Sequence, residues 1–248
     1  MIDIKFDFTI DSPGYWYGFW DRNDGLGCGG CDPDSRSQTL NLYHSILWSK
    51  QLPNGDFLKL KRVKFPYYFS WNSFCFSSDS IIVGMRHTQY RHIVDQAFER
   101  VGDYKAYYED LIRRSYTIGG MIIFPVHQNS INQRRGCNYY IRDRWDLTME
   151  CIRRYYQGED SPLYNVLLRD KDFFDLFVDF KGYVDFFLLQ DCVSKDYSAV
   201  DIWCGDASLK VDGYPPTVDD YFSFVDKEFE FLEKRNQRIN EYCIEHNL

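Results

Sequence analysis

Between residues 173 and 187 the chain reads Phe-Phe-Asp-Leu-Phe-Val-Asp-Phe, then Lys-Gly, then Tyr-Val-Asp-Phe-Phe. Rings at this density have to be enclosed, because each hides a large apolar area and pairs well with the edges of others. The stretch predicts one or two buried helices over residues 173–191, and it demands an aromatic shell from the rest of the chain. That shell is available: the 248 residues include 20 Phe, 20 Tyr and 6 Trp. Such a composition predicts a tightly packed globule and excludes disorder. No internal repeat or low-complexity linker divides the sequence. One domain is expected over 1–248, with a strand-rich part at 1–125 and a mainly helical part at 126–248.

Periodicity gives the expected elements. Residues 2–10 alternate apolar and charged side chains, a strand pattern. Residues 11–36 form a loop rich in Gly, Asp, Pro and Ser, studded with Tyr15, Trp16, Tyr17, Phe19 and Trp20. Helical spacing covers 38–50, and Pro53-Asn54-Gly55 signals a turn. Three short strands are expected at 56–63, 65–71 and 74–76, followed by capping residues at 77–79. A helix is expected over 89–114 and a β-like run over 117–124, ended by Pro125. Within that run Gly119-Gly120 marks a bulge or a close backbone approach. Further on, a helix from Asp143 or Arg144 runs through Gln157 and stops at Gly158. Ser161-Pro162 signals another helix start, 198–204 a returning strand, and 218–246 a long closing helix. Strands lie mostly in the first half and helices in the second. The fold class is therefore α+β: a largely antiparallel sheet in the N-terminal half, packed by helices of the C-terminal half.

Charge and cysteines narrow the function classes. The net charge of -8 opposes general nucleic-acid and anionic-membrane binding, although a local basic groove is compatible with it. No apolar run is long enough for a transmembrane helix and no signal peptide is visible, so a cytoplasmic protein is expected. Cys75, Cys151, Cys192 and Cys243 fall in apolar segments and read as buried free thiols. Cys28-Gly-Gly-Cys31 has the spacing of half a zinc site, but no second pair completes it. No metal is assigned. No phosphate loop, dinucleotide fingerprint or nucleophile elbow is present, so no cofactor is specified.

The densest polar chemistry lies in residues 129–154, which hold six arginines, four amides and three carboxylates. Arg134, Arg135, Arg142 and Arg144 offer forked donors that match phosphate or carboxylate. Asn132 and Asn138 can orient a ligand edge. On a helix starting near Asp143, residues Asp143, Asp146 and Glu150 share one face, and Arg142, Asp146, Glu150 and Arg153 form a ladder of opposite charge. Two readings follow: an anion site with Asp146 or Glu150 as general base, or a salt-bridge network that only organises structure. His44, among core positions, is a candidate acid or base if it faces a cleft, and otherwise a hydrogen-bonded core residue.

Three resemblances bear on function. Leu42-Tyr43-His44 resembles the first-strand motif of ADP-ribosyltransferases, in which the histidine holds the nicotinamide ribose; that implies NAD binding with His44 and Glu150 in the family's roles. Arg86 and His92, six positions apart, resemble the ribonuclease pair of HEPN proteins, where the pair contacts a phosphate. Most extensively, Tyr116-Thr-Ile-Gly-Gly-Met-Ile-Ile-Phe-Pro125, Arg135-Gly-Cys-Asn138, the block 143–156 and Tyr183-Val-Asp-Phe-Phe-Leu-Leu-Gln-Asp191 resemble an uncharacterised bacterial family defined only as a domain of unknown function. That likeness implies a bacterial source and one self-contained domain, and it supplies no activity. The functional expectation is an enzyme acting on RNA or a nucleotide in a toxin or phage-defence setting. The alternatives are a non-catalytic module that docks a protein partner through the 11–36 loop, and NAD-dependent ADP-ribosyl transfer.

Overall fold

The fold follows from what encloses the aromatic stretch. The structure is a computed structural model that describes residues 2–12, 16–21, 25–29, 33–63, 69–82, 91–135, 140–205, 209 and 215–248, with backbone alone at 16–21, 25–29, 91 and 105. Two strands, β1 (Trp16–Asp21) and β2 (Gly25–Gly29), pair as an antiparallel hairpin. Short helix α1 (Pro33–Arg36) leads to α2 (Gln38–Trp48), which is capped by the Ser37 hydroxyl. The main sheet has the order β3 (Lys61–Arg62), β4 (Phe69–Trp71), β5 (Phe74–Ser80), β6 (Met121–Pro125), with every neighbour antiparallel. Helices α3 (Arg91–Val101) and α4 (Tyr104–Ser115) separate β5 from β6 in sequence. After β6 come α5 (Ile131–Arg134), α6 (Trp145–Gln157), α7 (Tyr164–Arg169), α8 (Lys171–Phe174), α9 (Phe180–Phe186) and α10 (Val218–His246). The chain is thus α+β, with its four-stranded antiparallel sheet in the first half and most helices in the second.

Successive side chains of a strand point to opposite faces, and directly paired residues share a face. Ser77 pairs with Phe124. The Phe124 ring lies 6.4 Å from Trp145 at the start of α6, and the Ser77 hydroxyl accepts from Asn132 of α5. Ser78 points to the other face, where it meets His44 of α2. There the aromatic core is continuous: Phe76 contacts Phe173 at 5.7 Å, Phe173 contacts Phe177 at 5.1 Å, and Phe177 contacts Phe187 at 5.3 Å. Phe187 in turn lies 5.3 Å from Trp48.

Two features of α10 hold the edge of this sheet. Asn236 accepts the Gly119 N–H at 2.7 Å and donates to the Thr117 hydroxyl at 2.9 Å. Arg235, fully buried, donates to the carbonyls of Gly119 (2.7 Å), Met121 (3.0 Å) and Phe187 (3.1 Å). Such an approach needs glycine beneath it. A Cβ on Gly119 would meet Asn236 and the Leu232 carbonyl at 2.8 Å, and one on Gly120 would meet the Ser115 carbonyl at 2.2 Å. The glycine pair therefore serves close backbone approach, in a single 3₁₀ turn over Ile118–Gly120 that precedes β6.

Several expected elements differ. Residues 2–10 form turns and no strand. Asp3 accepts the Lys5 N–H, and Asp7 accepts both the N–H and hydroxyl of Thr9. The alternating aspartates that looked like a polar strand face close local turns instead. The helix expected over 89–114 breaks at Gly102, which sits at φ +81°, so α3 and α4 are separate. Residues 77–79 belong to β5. The helix expected from Ser161-Pro162 begins only at Tyr164. Residues 56–60 and 198–204 contribute isolated bridges, Gln51 to Phe57 and Val193 to Val200, and no strand. The loop at 11–36 contains the β1–β2 hairpin and α1. Because the Ser115 carbonyl leaves no room at Gly120, Gly120→Ala is expected to cost about 2–3 kcal/mol. A urea titration checks this, and an unchanged midpoint contradicts the packing described.

Candidate functional site

The arginine-rich segment folds into a chain of internal ion pairs on the Ser77 face of the sheet. Arg135, 4% exposed, lies 3.4 Å from Asp79 of β5 and 3.2 Å from Asp143, with its guanidinium carbon 5.9 Å from the Trp145 ring centre. Arg144, 1% exposed, grips Asp146 with two nitrogens and donates to the Cys204 carbonyl at 2.9 Å. Asp146 is completely buried and also accepts the Trp203 N–H at 2.9 Å. Its carboxylate thus ties the start of α6 to the loop before α10. Glu150 accepts from Arg153 at 2.7 and 2.9 Å and from Arg154 at 2.7 Å. Burial would raise the pKa of Glu150, but the hydrogen bonds and charges of the two arginines outweigh it and hold the carboxyl below its ordinary value.

This places each predicted site residue. Arg135 joins Asp143, Arg144 joins Asp146, and Glu150 joins Arg153 and Arg154. Asn132 binds Ser77 and receives the Ser130 hydroxyl. Arg134 is half-buried, bonds Asn129 and lies over the exposed Tyr140 ring. Arg142 is half-buried. Asn138, Cys31, Arg86 and His87 lie outside the described residues, as does the Cys28 side chain. His92 is exposed on α3, and Cys75, Cys151, Cys192, Cys204 and Cys243 are free thiols.

His44 stands on the opposite face of the sheet from Asn132, as the Ser77–Ser78 alternation requires. It is fully buried. Its Nδ1 accepts the Trp48 indole N–H at 2.9 Å, so Nε2 carries the proton and donates to Ser78 at 2.9 Å. Burial, helped by the charge of Arg235, lowers its pKa to about 3. Both nitrogens are engaged and the ring stays neutral, which suits a core hydrogen-bonding residue and leaves no nitrogen for a ribose.

Sequence reasoning did not single out the residue with the most unusual surroundings, Lys50. It follows α2 and turns its amine toward three rings. The Nζ atom lies 5.0 Å from the Trp48 centroid, 4.6 Å from Phe186 and 4.5 Å from Tyr242. Among the described residues no carboxylate pairs with it and no acceptor takes its hydrogens. Burial and then the positive charge of Arg235 lower its pKa to about 7, against a smaller opposing effect of Cys243. The amine borders a cleft of about 930 Å³, lined by residues 50–53 and 55, 177–179, 181–182, 185–186, and Tyr242 and His246 of α10. That size lies within the range of small-molecule sites.

The cleft wall is built with care. Asn54 donates its N–H to the Leu176 carbonyl at 3.2 Å, joining the 52–55 turn to the 175–177 turn. A Cβ on Gly182 would meet the Phe177 carbonyl at 2.1 Å, so only glycine lets α9 close against it. Val178, 63% exposed at the rim, has φ +70° and ψ -52°, and the Asp179 N–H reaches the Phe177 carbonyl at 2.8 Å. This is a γ-turn of the rare, strained hand, centred on a β-branched residue. On the same wall Lys181 pairs with Asp185, which also accepts from Tyr197 and Gln190. His246 stacks on Tyr242 with centroids 4.0 Å apart.

A second polar pair also went unread. His127 donates from Nε2 to Asp170 at 2.7 Å and from Nδ1 to the Gln128 carbonyl at 2.9 Å. Both ring nitrogens donate, and the pair clasps the end of β6 to the α7–α8 junction. Partial burial pulls His127 down, while those two bonds and the charge of Asp170 carry it above its ordinary value. With both ring nitrogens engaged, His127 serves to hold Asp170 in place.

Fold and cleft together define an α+β protein with a lysine-bearing cleft between its last helix and its aromatic core. The chain belongs to the family of unknown function DUF6994, whose sequence profile matches residues 2–239. That span includes Lys50 and Arg235 and ends before Tyr242. Curated proteins and solved structures offer no match. Among the described residues no helix is long and apolar enough to cross a membrane.

Asp146 separates the two meanings of the polar segment. Asp146→Ala leaves the buried Arg144 without its carboxylate and is expected to destabilise the fold by about 3–5 kcal/mol in chemical denaturation. A variant as stable as the native protein would show that Asp146 is free for chemistry.

Proposed function

We propose that this chain binds a small organic molecule in the cleft beside Lys50, taking a ligand with an apolar or aromatic body and an oxygen acceptor at one end. The observation that carries this reading is the Lys50 amine, held among three rings without a carboxylate or acceptor among the described residues, at the border of a cleft of about 930 Å³. Lys50 is half-buried, and a ligand oxygen in the cleft would give its amine an acceptor, worth about 0.5–1.5 kcal/mol net. Pro53, Val178 and Tyr242 offer accessible apolar surface for the ligand body. The rim strain at Val178 supports the same reading, because strained backbone is retained where it shapes a site.

An RNA or nucleotide ligand at residues 129–154 is the second reading. Four of its arginines, Arg135, Arg144, Arg153 and Arg154, already face carboxylates. What favours it is the position of Arg134, whose guanidinium carbon lies 5.7 Å from the centre of the exposed Tyr140 ring. A base could stack there.

The test is a panel of small aromatic aldehydes, ketones and carboxylic acids titrated into the native protein and into Lys50→Met, followed by amide NMR. Saturable shifts are expected in residues 177–186 of the native protein. Affinity is expected to fall about tenfold in the variant, the value of one hydrogen bond. Equal binding by both proteins, or none by the native protein, contradicts the reading.

A further inference from the structure

We infer that Lys50 is a nucleophile that forms an imine with an aldehyde or ketone in its cleft. The inference rests on the cleft reading above and adds the ligand's reactive group. Three observations bear on it. First, the aromatic rings beside Nζ, at 4.5–5.0 Å, can receive N–H bonds on their faces, and the Trp48 indole N–H is already spent on His44 Nδ1. The lone pair of the neutral amine is left for the cleft. Second, the charged neighbours favour that neutral form. Arg235 on α10 is cationic, and on α9 the carboxylate of Asp185 is already paired with Lys181. The thiol of Cys243 and the phenol of Tyr242, also on α10, are both held above their ordinary values by burial, so neither supplies an anion near pH 7. Third, His246 borders the same cleft. Its Nδ1–H donates to the Tyr242 carbonyl at 2.9 Å, which leaves Nε2 as the lone pair able to relay a proton.

The chemistry needs no oxidant or metal. The Lys50 lone pair forms a bond to the carbonyl carbon while the C=O π pair moves to oxygen. One proton passes from nitrogen to that oxygen, giving a carbinolamine. The hydroxyl then leaves as water with the second nitrogen proton, and C=N forms. Amine and carbonyl have become imine and water. The fraction of the amine that is neutral near pH 7 does this without first losing a proton to solvent, a fraction far larger than in an ordinary surface lysine.

The experiment uses the whole native chain with benzaldehyde as probe, cyanoborohydride to reduce the imine in place, and peptide mass spectrometry to locate the adduct. At pH 7, Lys50 is expected to be labelled at least tenfold faster than Lys181, which pairs with Asp185 on the same wall. Only the free amine attacks, so the Lys50 rate should climb as pH rises through about 7 and then level off. Lys181 has a raised pKa and should still be climbing at pH 9. Lys50→Arg fills the same space with a group that forms no imine and should lose this adduct alone. Equal labelling of the two lysines in the native protein overturns the inference without relying on any variant. Benzoate, which cannot form an imine, separates the two levels. Saturable NMR shifts with benzoate and benzaldehyde but no Lys50 adduct overturn the imine and leave the cleft reading intact. No saturable shift with either probe overturns both.

Discussion

One buried guanidinium organises this protein. Arg235 projects from the middle of α10 into the core, where it is completely buried and donates to the carbonyls of Gly119, Met121 and Phe187. Those oxygens belong to the turn before β6, the first residue of β6 and the loop after α9. β6 is an edge strand whose residues are all buried. An edge in the core leaves backbone groups that must find partners, and α10 supplies them. Burial lowers the pKa of Arg235 to about 10, still well above neutrality, so it remains charged. Sheet edge, aromatic loop and closing helix are thereby held at one point.

That charge reaches beyond its hydrogen bonds. It adds to burial in keeping His44 neutral, and it does the same at Lys50. The outcomes differ because the geometry differs. His44 is closed in by Trp48 and Ser78 and serves the core, whereas Lys50 borders a cleft. Elsewhere cations are matched: Arg135, Arg144, Arg153 and Arg154 each have a carboxylate within reach. Two regimes of buried charge therefore coexist. One is neutralised by pairing and fixes α6 to its surroundings. The other is left as net positive field and acts on titrating neighbours.

How much of this could be read from sequence depended on the distance over which each feature is encoded. Helix α6, its stop at Gly158 in the left-handed conformation, and the full span of α10 were legible because caps and periodicity are local. The strand pattern at 2–10 misled, since Asp3 and Asp7 carry the same alternation whether they face solvent from a strand or close turns on their own backbone. Gly119-Gly120 announced a close approach without naming what approached. In the polar segment the residue types announced strong electrostatics, but pairing and ligand binding use the same side chains. Lys50 gave no local signal at all. Its environment is assembled from Phe186 and Tyr242, far along the chain, and from a charge at Arg235.

The central claim is that burial beside Arg235 brings the titration of the Lys50 amine down to near physiological pH, so that a large share of it is neutral there. Its most direct test is the titration of Lys50 in the native protein, followed through the side-chain ¹³Cε and ¹⁵Nζ resonances. The account predicts a midpoint of about 7, displaced from the ordinary 10.5. A midpoint near the ordinary value would mean that the three rings stabilise the ammonium more than burial and Arg235 oppose it. Lys50 would then be a caged structural cation.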